Sequence, residues 1–163
     1  MLWKRINKIP FKNVEECLRQ VRKKCILSPW IEDIFSKKKK IKFNKFNKLE
    51  IHRIKLKEIG FSKATKLKDI YKVFKLKNFE LVPPEISLYL RLIYKKQPKG
   101  EWLRISSPFN SMIDSDGVPH LAKMGRALNK NFLETYWAYP DAIFHPHNDF
   151  LVIKSNDKKI KTK

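Results

Sequence analysis

A run of lysines between residues 37 and 48 constrains the fold more than any other feature of this chain. Seven of these twelve residues are lysine, with Phe43 and Phe46 among them. Ammonium groups packed this closely repel one another, and an unpaired one does not enter an apolar core. The run therefore predicts a mobile, lysine-rich arm that separates two parts of the chain.

Positive charge is distributed unevenly along the sequence. Residues 1–82 hold 24 Lys and Arg against 8 Asp and Glu, whereas residues 83–153 hold 8 against 7. Residues 154–163 hold 5 against 1. Lysine outnumbers arginine 30 to 7, a bias that AT-rich codons produce in any protein. Codon bias alone would raise the lysine content of every segment. The asymmetry therefore indicates that the basic and neutral segments have separate functions.

Composition excludes several classes of protein. Hydrophobic residues make up 42% and aromatic residues 12% of the chain, enough for a folded core. No apolar run approaches the roughly 18 residues of a membrane span, and Lys4 and Arg5 interrupt any apolar signal segment. Cys17 and Cys25 lie too far apart on one predicted helix to form a disulfide. We therefore expect a cytoplasmic protein with reduced thiols.

Hydrophobic spacing predicts helices in the first half of the chain and strands in the second. Asn13 and Ser28 are typical helix caps, each followed by apolar residues at helical spacing. Short extended runs separated by turn residues dominate after Gly100. The strands predicted there are Trp102 to Ile105, Val118 to Met124, Phe132 to Trp137 and Phe150 to Ile153. The fold class predicted is α+β. It comprises a helical, basic N-terminal extension over residues 1–50, a compact domain over residues 51–153 with short helices and a mainly antiparallel C-terminal sheet, and a basic, disordered tail over residues 154–163.

Three short motifs follow one another between residues 81 and 105. They are Pro-x-Glu at 83–85, Leu-Arg-Leu-x-Tyr at 90–94 and Gln-Pro-x-Gly-Glu-Trp-Leu at 97–103. With them, residues 54–153 resemble a family of small bacterial proteins that has no assigned activity. Phe144, His145 and His147 depart from that family, which often has Trp and Asp there. The resemblance implies a domain boundary near residue 50 and implies no chemistry.

Two acidic or histidine-rich segments contain residue types that bind metal ions. His145, His147 and Asp149 form the sharpest metal-like cluster, because imidazoles two residues apart on an extended segment point to the same side. A surface turn is the alternative and is favoured, since no second cluster supplies further ligands. Asp114-Ser115-Asp116-Gly117 begins like a calcium loop, but glycine stands at the twelfth position, so a β-turn is predicted. No metal or cofactor is predicted.

An enzyme site is the alternative function. Glu85, Arg91, Glu101 and Arg104 lie among Leu, Trp and Tyr in the neutral segment, where burial would tune carboxylate pKa values for acid–base chemistry. The competing interpretation is that they form structural ion pairs and a helix cap. The sequence lacks the phosphate loops, nucleophile elbows and zinc helices of the common enzyme classes.

The leading hypothesis is a non-catalytic accessory protein that binds nucleic acid, with RNA preferred over DNA, alone or in a ribonucleoprotein. Lysines release counterions from phosphates without reading sequence, and phenylalanines stack on unpaired bases. The scarcity of arginine argues against reading of base edges. A solvated linker, an anionic membrane surface and an acidic protein partner remain alternatives. The predicted contact residues are Arg19, Arg22, Lys23, Lys24, Lys37, Lys38, Lys39, Lys40, Lys42, Phe43, Lys45, Phe46 and Lys48.

Overall fold

The structure is a computed structural model and describes residues 1–43 and 48–154. Lys45, Phe46 and the tail after Lys154 lie outside the described residues. Within those ranges the helices are α1 (Val14–Lys24), α2 (Pro29–Ser36), α3 (Leu67–Leu76) and α4 (Pro84–Ile93), and a 3-10 turn spans Leu56–Ile59. The strands are β1 (Leu2–Ile6), β2 (Ile26–Leu27), β3 (Leu49–Lys55), β4 (Thr65–Lys66), β5 (Phe79–Glu80), β6 (Trp102–Ile105), β7 (His120–Ala127), β8 (Lys130–Trp137), β9 (Ile143–Phe144) and β10 (Asp149–Lys154). None of the helices in this described part of the chain has both the length and the apolar character needed to cross a bilayer.

Eight strands form one mixed sheet. Its order is β1, β3, β10, β6, β7, β8, β2, and β5 pairs with the end of β10. β6 runs parallel to β10 and β2 runs parallel to β8, while the other neighbours are antiparallel. β4 and β9 pair separately. The long β7–β8 hairpin turns at Leu128 and Asn129, whose φ values of 51° and 59° match the twist of the strands that the turn joins.

The predicted helical N-terminal extension is wrong, and so is the sheet confined to the C-terminal half. The chain enters the sheet at Leu2, and β1 pairs with β3 as far as Ile6 opposite Leu49. β2 adds a second strand from the same region, and the boundary expected at residue 50 falls inside β3. Sequence patterning missed β1 because Lys4 and Arg5 dominate a short edge strand that buries only Ile6.

Helices cover both faces of the sheet. The first core lies under α1, α2 and α4 and includes Leu18, Phe35 and Leu90. The second core lies under α3 and the β4–β9 pair and includes Phe74 and Phe150. Residues before and after position 50 therefore share the first core, which places α1 and α2 in the body of the fold.

The first two helices begin at the caps that the sequence predicts. Asn13 Oδ1 accepts a hydrogen bond from Glu16 N–H at 3.1 Å, and the Glu16 carboxylate accepts one from Lys12 N–H at 2.8 Å. Ser28 Oγ accepts from Ile31 N–H at 3.2 Å at the start of α2. These bonds satisfy amides that the helix itself leaves free.

The first part of the lysine run is held against α1. Val14 N–H donates to Ile41 O at 2.8 Å, and Glu15 N–H donates to Lys39 O at 3.1 Å. Carbonyl groups of the run thus accept hydrogen bonds from the first amides of α1, which have no partner within the helix. The mobile arm expected over residues 37–48 is anchored as far as residue 42.

The Asp-Ser-Asp-Gly segment before β7 is a β-turn, as predicted, and its first residue is tied to the sheet. Asp114 Oδ1 accepts from the N–H groups of Asp116 and Val118, both at 2.9 Å. Asp114 Oδ2 lies 2.8 Å from His120 Nε2, and His120 Nδ1 lies 3.1 Å from Thr135 Oγ1. The hydrogen bond with His120, followed by the backbone bonds, holds the pKa of the Asp114 carboxyl below its ordinary 3.8.

Asp114→Asn is expected to lower stability at neutral pH and to weaken the dependence of stability on acid. Since the pKa of this carboxyl is lower in the folded than in the unfolded chain, its charge stabilises the fold above the unfolded pKa, and the stabilisation disappears as pH falls through the folded pKa. Urea unfolding between about pH 7 and pH 3 measures this, with the gap between wild type and variant narrowing toward acid. Asp116→Asn, in the same turn but exposed, is the control, and a pH-independent gap for Asp114→Asn contradicts the prediction.

Candidate nucleic-acid interface

Four cationic side chains meet around a pocket of about 400 Å³ at the tip of the β7–β8 hairpin, here called the cation pocket. Lys23 and Lys24 come from the last turn of α1, Arg126 from β7 and Lys130 from β8. The described residues that complete its lining are Cys25, Ile26, Asn129 and Asn131, so none of them is acidic. Cations gathered in this way raise the local positive potential and attract an anion.

The hairpin fixes one of these cations. In the ladder of the hairpin Arg126 lies opposite Asn131. Arg126 Nη1 donates to Asn131 Oδ1 at 3.1 Å, and Asn131 Nδ2 donates to Lys95 O at 3.1 Å. The guanidinium is held in place, whereas Lys130 is exposed and free to follow a ligand.

The structure separates the basic residues that the sequence grouped on α1. Lys23 and Lys24 are exposed and line the cation pocket. Arg19 and Arg22 are instead in exposed ion pairs, with Glu15 at 3.8 Å and with Glu32 at 3.2 Å. Exposed pairs of this kind are weak, but they halve the positive charge offered by that side of the helix.

The lysine run lies on the other end of α1 from the cation pocket. Its described lysines are Lys37, Lys39, Lys40, Lys42 and Lys48, which are exposed, and Lys38, which is half-buried. Phe43 is half-buried and packs against the first core. Stacking of Phe43 on a base would remove its ring from that contact.

Glu85, Arg91, Glu101 and Arg104, the alternative enzyme site, are not brought together. Arg91 is fully buried inside the fold, where it donates to Gln97 Oε1 at 2.7 Å and to backbone carbonyls. Glu85 lies buried in the first turn of α4. Glu101 and Arg104 share a cavity of about 540 Å³ beside β6, without the other two.

Glu101, the residue before β6, is engaged in an ionic network with side chains of β3 and β10. Arg53 on β3 donates to Glu101 at 2.9 Å and to Asp149 on β10 at 2.7 Å. Lys55 reaches the same Asp149 at 3.2 Å, and Tyr94 Oη donates to Glu101 at 2.8 Å. Both carboxylates are paired with cations, and the network connects β3, β10 and the residue before β6.

β6, β7 and β8 present a half-exposed face on the side of the second core. We call its residues Trp102, Arg104, Lys123, Phe132 and Tyr136 the aromatic face. Cross-strand rows place Trp102 and Phe132 on either side of Gly125, and Arg104 opposite Lys123. Directly opposed residues share one side of a sheet, so the row of Trp102 and Phe132 lies beside a charged row that Glu134 completes.

Gly125 allows the indole of Trp102 to lie where it does. A Cβ on Gly125 would come within 2.3 Å of Trp102 Cζ3, far inside van der Waals contact. A glycine inside a strand commonly marks such a close approach. The indole is thus seated on the backbone of β7.

The two cations of the aromatic face contact its rings. Lys123 Nζ lies 4.8 Å from the centroid of Trp102, and Arg104 Cζ lies 5.9 Å from that of Tyr136. Arg104 Nε is buried and has no hydrogen-bond partner among the described residues. Burial lowers the pKa of Arg104 and of Lys123, and the Arg104 charge lowers that of Lys123 further, whereas Glu134 raises it.

His145 and His147 lie side by side in the turn before β10. The rings of His145 and His147 stack with centroids 5.8 Å apart. Over residues 1–43 and 48–154, no group of three or more His, Cys, Asp and Glu is placed to hold a metal ion. The segment is a turn held by Asn148, whose Oδ1 accepts from His145 N–H at 2.8 Å.

Sequence reasoning did not identify Arg126, Lys130, Trp102 and Lys123 as interface residues. They lie in the segment whose net charge is close to zero, so a charge count passes over them. One signal was present: Trp102 and Arg104 are two residues apart on a predicted strand and therefore share a face. Comparison of the chain with protein-family models, with curated proteins and with solved structures gives no significant match, so the family resemblance stays a prediction.

Proposed function

We propose that this protein is a non-catalytic RNA-binding accessory protein that holds phosphates in the cation pocket and along the lysine run. The cation pocket carries the proposal, because it joins four cations from three elements and has no acidic residue in its described lining. Phosphate contacts of this kind give affinity without reading sequence. A place in a ribonucleoprotein assembly fits the same chemistry.

The lysine run extends the positive surface beyond the pocket. Its carbonyls are bonded to the start of α1, so its described lysines are carried on an anchored segment. Lys23 and Lys24 occupy the other end of the same helix. A phosphate chain following α1 would meet cations at both ends, which favours a polymer over a single phosphate group.

The triple variant Lys23→Ala, Lys24→Ala, Lys130→Ala is expected to bind RNA weakly and with less dependence on salt. Each phosphate contact to a single strand contributes about 0.7 to the slope of log affinity against log salt, so loss of three lowers the slope by about 2. Fluorescence anisotropy with a labelled mixed-sequence RNA, titrated between about 50 and 200 mM salt, measures the slope. The same titration with DNA of equal sequence tests the preference for RNA.

The matched control removes the same charge elsewhere. Lys72, Lys75 and Lys77 are exposed at the end of α3, which covers the opposite face of the sheet. Their replacement by alanine should leave the slope close to that of wild type. Equal losses in both triple variants would show a general effect of net charge, and absence of RNA binding by wild type at low salt would refute the proposal.

A further inference from the structure

We infer that the aromatic face is a stacking platform for unpaired bases, so that the RNA bound is single-stranded. The inference rests on the proposed function and names the class of RNA that the protein selects. Its occupant is a single strand whose bases contact Trp102 and Phe132 while its phosphates contact Arg104 and Lys123.

The first support is the exposed aromatic surface itself. Trp102 and Phe132 are half-buried, belong to neither core, and flank Gly125 in one cross-strand row. The indole of Trp102 fills the space over Gly125, so its ring lies against the backbone of β7 next to Phe132. Bases stack on such rings irrespective of their identity, because every base has a π face.

The second support is charge. Among the described residues, neither Arg104 nor Lys123 has a carboxylate within ion-pair distance, although the two cations are opposite one another on adjacent strands. Glu134 faces Lys123 in the same row, and Asp149 acts on Arg104 but is itself paired with Arg53 and Lys55. Because those cations offset Asp149, Arg104 and Lys123 with Glu134 leave net positive charge on the face, and a phosphate relieves the repulsion between the two cations.

The third support is room beside the indole. The cavity of about 540 Å³ next to β6 is lined by Trp102 and Arg104 together with the turn before β10. Ligand sites commonly have this size. The acids that line it, Glu101 and Asp149, are paired with the two cations Arg53 and Lys55, so they do not repel a phosphate strongly.

Continuity with the cation pocket gives the strand a path. Lys130 lines that pocket and stands in the same alternating row of β8 as Phe132. A single strand that leaves the pocket at Lys130 therefore reaches Phe132 and then Trp102. A duplex presents only phosphates to this path, because its bases are stacked inside.

Trp102→Leu is the test, since leucine keeps an apolar contact with Gly125 and removes the π face. Stacking on one aromatic residue contributes about 1–3 kcal/mol, so affinity for a mixed-sequence single strand should fall about 5- to 100-fold. Affinity for the duplex of the same sequence and the salt slope should not change. Trp102→Phe should recover most of the loss, and Trp137→Leu, which alters a tryptophan with 66% of its surface exposed outside this face, should have no effect.

The outcomes separate this inference from the proposed function. Wild-type protein that fails to bind any RNA refutes both. Wild-type protein that binds RNA while Trp102→Leu binds single strands equally well refutes the platform alone, as does an equal loss on the duplex. A change in sedimentation of Trp102→Leu with unchanged RNA affinity would assign the face to a second copy of the chain and would also overturn the inference.

A measurement on wild-type protein covers the case in which Trp102→Leu does not fold. Single-stranded RNA containing 4-thiouridine is cross-linked by light, and the attached peptides are identified by mass spectrometry. Cross-links at Trp102, Phe132 or Tyr136 are expected. Cross-links confined to the exposed Trp30 and Trp137 would overturn the inference.

Discussion

A chain that begins at residue 48 is expected to remain unfolded, although the sequence suggests that a complete domain begins near that point. Seven apolar side chains from α1 and α2 are at most 1% exposed in the first core: Val14, Cys17, Leu18, Val21, Ile31, Ile34 and Phe35. Burial of each contributes about 1.5–3 kcal/mol. Their sum of about 10–21 kcal/mol is comparable to or larger than the total stability of about 5–15 kcal/mol that a domain has. Circular dichroism and amide NMR dispersion of residues 48–163 measure the result.

The control for this truncation is the addition of residues 1–47 as a separate peptide. Mixing residues 1–47 with residues 48–163 should restore the native spectrum, because β1 pairs with β3 and α1 packs on α4 whether or not the chain is continuous. A truncated chain that gives a dispersed, cooperative spectrum alone would contradict the prediction. It would show that residues 48–163 form an independent domain after all.

Arg91→Met is expected to destabilise the protein by about 3–5 kcal/mol or to prevent folding, which is typical of a buried polar network that loses its central donor. Arg91 is 0% exposed and donates to Gln97 Oε1 at 2.7 Å. It also donates to Gly125 O and Phe132 O, each at 3.1 Å, and to Tyr94 O. Methionine fills similar space but leaves these acceptors buried without a donor. Urea unfolding followed by tryptophan fluorescence gives the change in free energy.

Two further variants show whether the effect belongs to the hydrogen bonds. Arg91→Lys keeps the charge but lacks the planar fork that reaches several carbonyls, so it should also destabilise. Arg5→Met breaks an exposed ion pair with Glu50 and should cost at most about 1 kcal/mol. A loss below about 1 kcal/mol for Arg91→Met would mean that water satisfies the freed carbonyls.

Local signals in the sequence predicted individual elements well. Asn13 and Ser28 cap the helices as expected, because capping depends on neighbouring residues alone. The strands around Trp102 and Phe150 were also expected from short apolar runs. Which strands become neighbours depends on contacts between residues distant in sequence. The pairing of β1 with β3 and of β2 with β8 could therefore not be predicted from local patterns.

Charge counting predicted part of the candidate interface for a similar reason. Lys23 and Lys24 stand in a dense basic segment and were identified. Arg126 and Lys130 join them only because the β7–β8 hairpin ends beside α1. The apolar surroundings of Arg91 and Glu101 in the sequence suggest an enzyme site, whereas in the structure both side chains belong to hydrogen-bond networks that hold the sheet together.

The position of β10 has a consequence for synthesis on the ribosome. β10 lies between β3 and β6 and provides the direct pairing between the half-sheet that contains β1 and the half-sheet that contains β7 and β8. Translation must therefore proceed through residue 154 and carry it clear of the exit tunnel before the two half-sheets are joined. Until then the nascent chain exposes the apolar faces that β10 will cover, so folding is completed after most of the chain has been made.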